Sequence, residues 1–93
     1  MEKAADFKGP SGKLVRVRLN EDRGVIRSIQ ITGDFFLVPE ESLPRLEKML
    51  IDTPLREKDI KVLVDRFFLA TKAQGLGISP DDFVKAILSS KAV

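Results

Sequence analysis

The stretch Phe35-Phe36-Leu37-Val38-Pro39-Glu40-Glu41-Ser42-Leu43 divides the 93-residue chain into two parts of different periodicity. Four apolar residues in a row, closed by a proline, read as a short strand that is covered on both sides. After Pro39, Leu43, Leu46, Met49 and Leu50 recur at helical spacing, so a first helix starts at Ser42 or in the Glu40-Glu41 turn. Upstream the period is two. Leu14-Val15-Arg16-Val17-Arg18-Leu19 puts Val15, Val17 and Leu19 on one face and both arginines on the other, the pattern of a half-buried strand. A loop over Asn20-Glu21-Asp22-Arg23-Gly24 turns the chain into a second strand, Val25 to Thr32. Val25, Ile29 and Ile31 share a face there, and Arg27 interrupts it in a way that calls for a bulge or an edge position.

Downstream, Thr53-Pro54 reads as the start of a second helix, with Thr53 as cap and proline at the first helical position. Ile60, Leu63, Val64, Phe67 and Thr71 line its inner face, and Gly75 is placed to stop it. Ser79-Pro80-Asp81-Asp82 supplies a cap, a proline and two carboxylates for a third helix, which carries Phe83, Val84, Ile87 and Leu88 inward. The fold class expected is α+β: an antiparallel three-stranded sheet (β-β-β) followed by three helices packed on one face. Residues 1–12 are polar and end in Gly9-Pro10-Ser11-Gly12, so they read as a flexible N-terminal arm ahead of a single domain over 13–93.

Composition narrows the chemistry. Without Cys, His, Trp or Tyr, the chain has no disulfide, no zinc finger, no thiolate ligation of an iron–sulfur cluster and no histidine-based triad. The chain reads as a domain without an active site of its own. Sixteen Lys and Arg against fourteen Asp and Glu leave a net charge of +2, distributed as +3 over residues 1–30, −3 over 31–60 and +2 over 61–93. Such mixing, with phenylalanine as the only aromatic residue, argues against a dedicated nucleic-acid binder. No stretch has the apolar length of a signal peptide core or of a membrane span, so a cytoplasmic protein without membrane contact is expected.

Each candidate site has a plain alternative. Gly9-Pro10-Ser11-Gly12-Lys13-Leu14 looks like part of a phosphate loop, but Leu14 stands where a Mg²⁺-binding hydroxyl belongs and a strand, not a helix, follows. The segment is either a glycine turn or the source of one lysine that leans into a nucleotide site belonging to another chain. Gly75-Leu76-Gly77-Ile78 resembles an anion cradle, yet Asp81-Asp82 would repel a phosphate there. Glu40-Glu41 and Asp81-Asp82 are explained by helix dipoles. In Gly33-Asp34-Phe35-Phe36, adjacent phenylalanines face opposite ways, so one enters the core and the other needs a cover, either within the chain or from a partner.

Gly12-Lys13-Leu14-Val15 entering a strand, the run Ile29-Gln30-Ile31-Thr32-Gly33-Asp34-Phe35-Phe36-Leu37, and the Leu43, Leu46, Leu50 helix together resemble the accessory domain of lipoate-protein ligases. The similarity spans residues 8–90, and Ile-Thr-Gly-Asp-Phe-Phe is its most specific piece. Archaeal members tend to read Pro-Gly-Gly-Lys where this chain has Pro10-Ser11-Gly12-Lys13, which leaves Gly12 and Lys13 in place.

In some archaea this domain is a separate small subunit, and the chain looks like that form. The resemblance implies a non-catalytic subunit that pairs with a large catalytic subunit as a heterodimer. It is required when lipoate is activated to lipoyl-AMP, before transfer to a lysine of a lipoyl-domain acceptor. ATP, Mg and lipoate then belong to the large subunit, and this chain binds no cofactor alone. On this view Gly12 and Lys13 lie near the nucleotide, and Asp34, Phe35 and Phe36 form the partner interface. Three other readings stay open: a stand-alone interaction module, a nucleic-acid-binding module built on Arg16 and Arg18, and an iron–sulfur scaffold, the last opposed by the missing cysteines.

Overall fold

In the computed structural model, which describes residues 1–10 and 12–93, six strands and three helices form an α+β domain. The strands are β1 (Glu2–Lys8), β2 (Leu14–Asp22), β3 (Val25–Gly33), β4 (Phe36–Val38), β5 (Gln74–Leu76) and β6 (Lys91–Ala92). The helices are α1 (Ser42–Leu50), α2 (Glu57–Thr71) and α3 (Pro80–Leu88). The main sheet is antiparallel with four strands in the order β3-β2-β1-β6, and β4 pairs with β5 in a separate two-stranded ribbon. Two corrections to the sequence reading follow. The main sheet has four strands, not three, and the third expected strand lies outside it.

The N-terminal segment is a third departure. Residues 2–8 do not form an arm: β1 pairs with β2 from Glu2↔Asn20 through Lys8↔Leu14 and holds β6 on its other side. Lys3, Ala5 and Phe7 fall opposite Leu19, Val17 and Val15, so Ala5 and Phe7 pack against the core. Lys3, Ala5 and Phe7 make only a faint period-two signal, and the neighbouring strand supplies the apolar partners that the segment itself lacks. Ser11, part of the expected glycine turn, lies outside the described residues.

The remaining strands behave closer to expectation. Val15, Val17 and Leu19 are buried while Arg16 and Arg18 face solvent. Arg23 and Gly24 form a two-residue turn between β2 and β3, both with positive φ. The ladder passes from Asn20↔Ser28 to Glu21↔Ile26, so Arg27 is the extra residue of a bulge. That bulge shifts the phase of β3: Ile26 and Ile31 enter the core, Val25 and Ile29 are half-buried, and Arg27 points out to Asp52 at 2.7 Å.

The edge of β3 is not exposed to further strand pairing. Ile26 N donates to Thr53 O at 2.9 Å, Asp52 N to Ile26 O at 2.7 Å, and Ile31 N to Glu47 Oε2 at 2.7 Å. These contacts explain why Thr53-Pro54 does not begin a helix. Thr53 carries its backbone to β3, and α2 starts three residues later with Arg56 at the cap position. At the other end Lys72, with φ 55°, ends α2 in place of Gly75, which sits inside β5.

One apolar core joins the sheet to the helices. Leu46 and Leu50 of α1, Ile60, Val64 and Phe67 of α2, and Phe83, Val84 and Ile87 of α3 close over the inner face of β2 and β3. Phe35 stands edge-on to Phe83 at 5.2 Å, and Phe68 lies 5.9 Å from Phe83. The outer face of the sheet is polar, and its arginines are paired: Arg16 with Asp6 at 2.9 Å and Arg18 with Glu2 at 4.0 Å. No helix among the described residues is long and apolar enough to cross a membrane.

Candidate functional site: the β4–β5 ribbon and the Lys13 corner

The turn from β3 to β4 is held by Asp34. Its Oδ1 accepts from Leu14 N at 2.6 Å, and its own N–H donates to Leu14 O at 3.3 Å. Gly33 is required beside it, because a Cβ there would run into the Leu14 carbonyl and lie 2.7 Å from the Phe35 ring. The Gly-Asp pair therefore clips the start of β2 to the end of β3. Its carboxylate is engaged with the chain's own backbone.

That clip sets the direction of β4. Phe35 is 8% exposed and belongs to the core, whereas Phe36 is 63% exposed. Of the three residues assigned to an interface from sequence, Asp34 and Phe36 are at the surface and Phe35 is not, since the Phe83 ring already covers it. The strand expected to be covered on both sides is covered on one. Leu37 is buried, and Phe36 and Val38 face outward, Val38 at 50% exposure. Phe36 pairs directly with Leu76 of β5, itself 52% exposed. Phe36, Val38 and Leu76 thus form one exposed apolar face, whose last two members the sequence did not single out. A three-residue strand such as Gln74-Gly75-Leu76 has no period to read, and its pairing with β4 is visible only in three dimensions.

Lys13 lies next to this face. Its side chain runs across Gly77, the residue after β5: a Cβ on Gly77 would sit 2.9 Å from both Lys13 Cε and Lys13 Cγ. Gly77 has φ +79° and Gly12 has φ +82°. Three segments that were separate in the sequence, Gly12-Lys13, Gly33-Asp34 and Gly75-Leu76-Gly77, therefore meet at one corner of the molecule.

The other candidates are structural. Ser79 N donates to Asp82 Oδ2 at 2.9 Å, the return bond of a capping box, and Asp82 is buried against Gly9. Asp81 pairs with Lys85 at 3.0 Å, and that hydrogen bond, with the attraction of the carboxylate, raises the Lys85 pKa above its ordinary value. Glu40 and Glu41 are exposed in the turn before α1. Gly75-Leu76-Gly77-Ile78 is no cradle: Gly75 lies against Ile78, whose carbonyl oxygen would be 2.6 Å from an added Cβ. Among the described residues, no three acidic side chains gather closely enough to hold a metal ion.

Comparison with known proteins matches residues 4–87 to the family described as bacterial lipoate protein ligase C-terminus. The chain is 38% identical over 77 residues to lipoate-protein ligase A subunit 2 of Thermoplasma acidophilum, covering 80% of this chain and 76% of that protein. Among solved structures it is similar to a chain from an archaeal lipoylation system, the bi-partite lipoate protein ligase and its E2 lipoyl domain from Thermoplasma acidophilum. The TM-score is 0.84 and the identity 33%, over 94% of each chain.

Proposed function

This chain belongs to the bacterial lipoate protein ligase C-terminus family, and on that premise we propose that it is the accessory subunit of a bipartite lipoate-protein ligase. The observation that carries the proposal is the likeness to a chain of the archaeal bi-partite system, 94% of each, together with 38% identity to subunit 2 of a lipoate-protein ligase. The partner is a large catalytic subunit that binds ATP, Mg and lipoate and forms lipoyl-AMP. Lipoyl-domain acceptors are reached through it. The setting is the cytoplasm.

The accessory chain acts by shape. The face built from Phe36, Val38 and Leu76 docks on the catalytic subunit, and burying each large side chain is worth about 1.5–3 kcal/mol. Docking there brings the Gly12-Lys13 corner toward the partner's nucleotide. Ordering loops around ATP and the lipoate carboxylate, and excluding water from them, accelerates adenylation without any nucleophile on the accessory chain. The nucleic-acid reading loses its motive, because Arg16 and Arg18 each already face a carboxylate.

The test is single-turnover adenylation. A large subunit of this ligase class, mixed with ATP and lipoate, is expected to form little lipoyl-AMP until this chain is added, and then to form it stoichiometrically. Equal adenylation with and without the chain would remove the proposal.

A further inference from the structure

The corner where Lys13 crosses Gly77 carries an inference about a residue to which no role has been given. Lys13 leaves the Gly12 turn at the point where the backbone is pinned: Leu14 N to Asp34 Oδ1 at 2.6 Å, Asp34 N to Leu14 O at 3.3 Å. Its methylene stem then runs over Gly77 so closely that a Cβ there would fall 2.9 Å from Lys13 Cγ and Cε. Glycine at position 77 is favoured by its φ of +79° in any case, and a Cβ there would push the flexible Lys13 stem off this course. Packing a lysine stem on bare backbone limits its rotamers and directs the ammonium at its tip. An ammonium held in one direction acts on an anion more strongly than one that must first be ordered.

We propose that Gly77 is a positioning residue: by giving the Lys13 stem a bare backbone to lie on, it aims the ammonium at the polyphosphate of the nucleotide bound in the partner subunit. The inference rests on the accessory-subunit reading, and it adds to that reading which residue sets the direction of the cation. Lys13 makes the contact with an anionic oxygen, and Gly77 acts only through Lys13.

The experiment is a double-mutant cycle read on the complex with the large subunit. Lys13→Met keeps the stem and removes the charge. It is expected to raise KM for ATP about ten-fold, the loss of one charge-assisted contact, with KM for lipoate unchanged. Gly77→Asn keeps a residue that accepts the left-handed backbone but puts a Cβ in the path of Lys13. It is expected to raise KM for ATP roughly three-fold, and the double variant to be no worse than Lys13→Met alone.

Independent, multiplying effects, or an unmoved KM for ATP in Lys13→Met, would overturn the proposal. Should Gly77→Asn fail to fold, nuclear Overhauser contacts between Gly77 Hα and the Lys13 methylenes in the unaltered chain decide the matter, and their absence also overturns it. An unaltered chain that gives no stimulation of adenylation removes the underlying reading instead. Normal stimulation by Lys13→Met with KM for ATP unchanged removes this inference alone.

Discussion

Phe35 and Phe36 are adjacent in the chain and opposite in fate, because an extended backbone sends successive side chains to opposite faces. Which one turns inward is decided by Asp34, whose carboxylate holds the turn to Leu14, and by Gly33, whose missing Cβ leaves room for both the Leu14 carbonyl and the Phe35 ring. The sequence showed that the pair must divide, and it held no information on the direction, since that depends on a hydrogen bond spanning twenty residues. Phe35→Ala removes a ring packed edge-on against Phe83, so it is expected to lower stability by about 3–5 kcal/mol. For a domain with a total of about 5–15 kcal/mol, that is a large share. Phe36→Ala removes a ring that is mostly in water and should change stability by less than about 0.5 kcal/mol. Phe36 is the centre of the proposed docking face, so the same substitution is expected to weaken binding to the large subunit by about 2 kcal/mol, roughly thirty-fold in Kd. Urea unfolding of the isolated chain and calorimetric titration of the complex separate the two effects. A Phe36→Ala chain that is destabilised yet binds normally would place docking elsewhere.

Among the elements, those with strong internal patterns were legible and those that borrow their partners were not. The β2 alternation, the α1 stripe of Leu43, Leu46 and Leu50, and the Ser79-Pro80 start of α3 stand where the residues put them. Thr53-Pro54 carries a helix-start pattern, yet pairing with Ile26 outweighs it, because a buried backbone N–H must find an acceptor and Thr53 O is the one at hand. β1 is the clearest case of an element defined by its neighbours. Its polar composition reads as an arm, but it is an interior strand bonded to β2 on one side and β6 on the other. Removing residues 1–8 should therefore unfold the domain, not trim it: the deletion exposes the bonding edge of β2 and takes Ala5 and Phe7 from the core. Far-UV circular dichroism and amide shift dispersion report the outcome. A shortened chain that keeps native dispersion would show that β1 is dispensable to the sheet.

Two of the molecule's surfaces, the outer face of the main sheet and the β4–β5 ribbon, have opposite character, and the energetics of association distinguish them. The outer face of the main sheet carries Arg16 with Asp6 and Arg18 with Glu2, exposed pairs that contribute at most about 1 kcal/mol each. Covering them with another protein would strip water from four charges for little return. The β4–β5 ribbon has no such penalty, since Phe36, Val38 and Leu76 are already poorly served by water. On the proposal that Lys13, at the edge of that ribbon, engages the nucleotide, it adds salt sensitivity to ATP binding and little to docking. Affinity for the large subunit, measured without nucleotide, is expected to change less than about two-fold across a roughly ten-fold rise in ionic strength. The same titration should give a negative heat-capacity change from buried apolar area. A steep fall in affinity with salt, and no heat-capacity change, would shift the interface to the arginine-bearing sheet face and leave the apolar ribbon without a role in assembly.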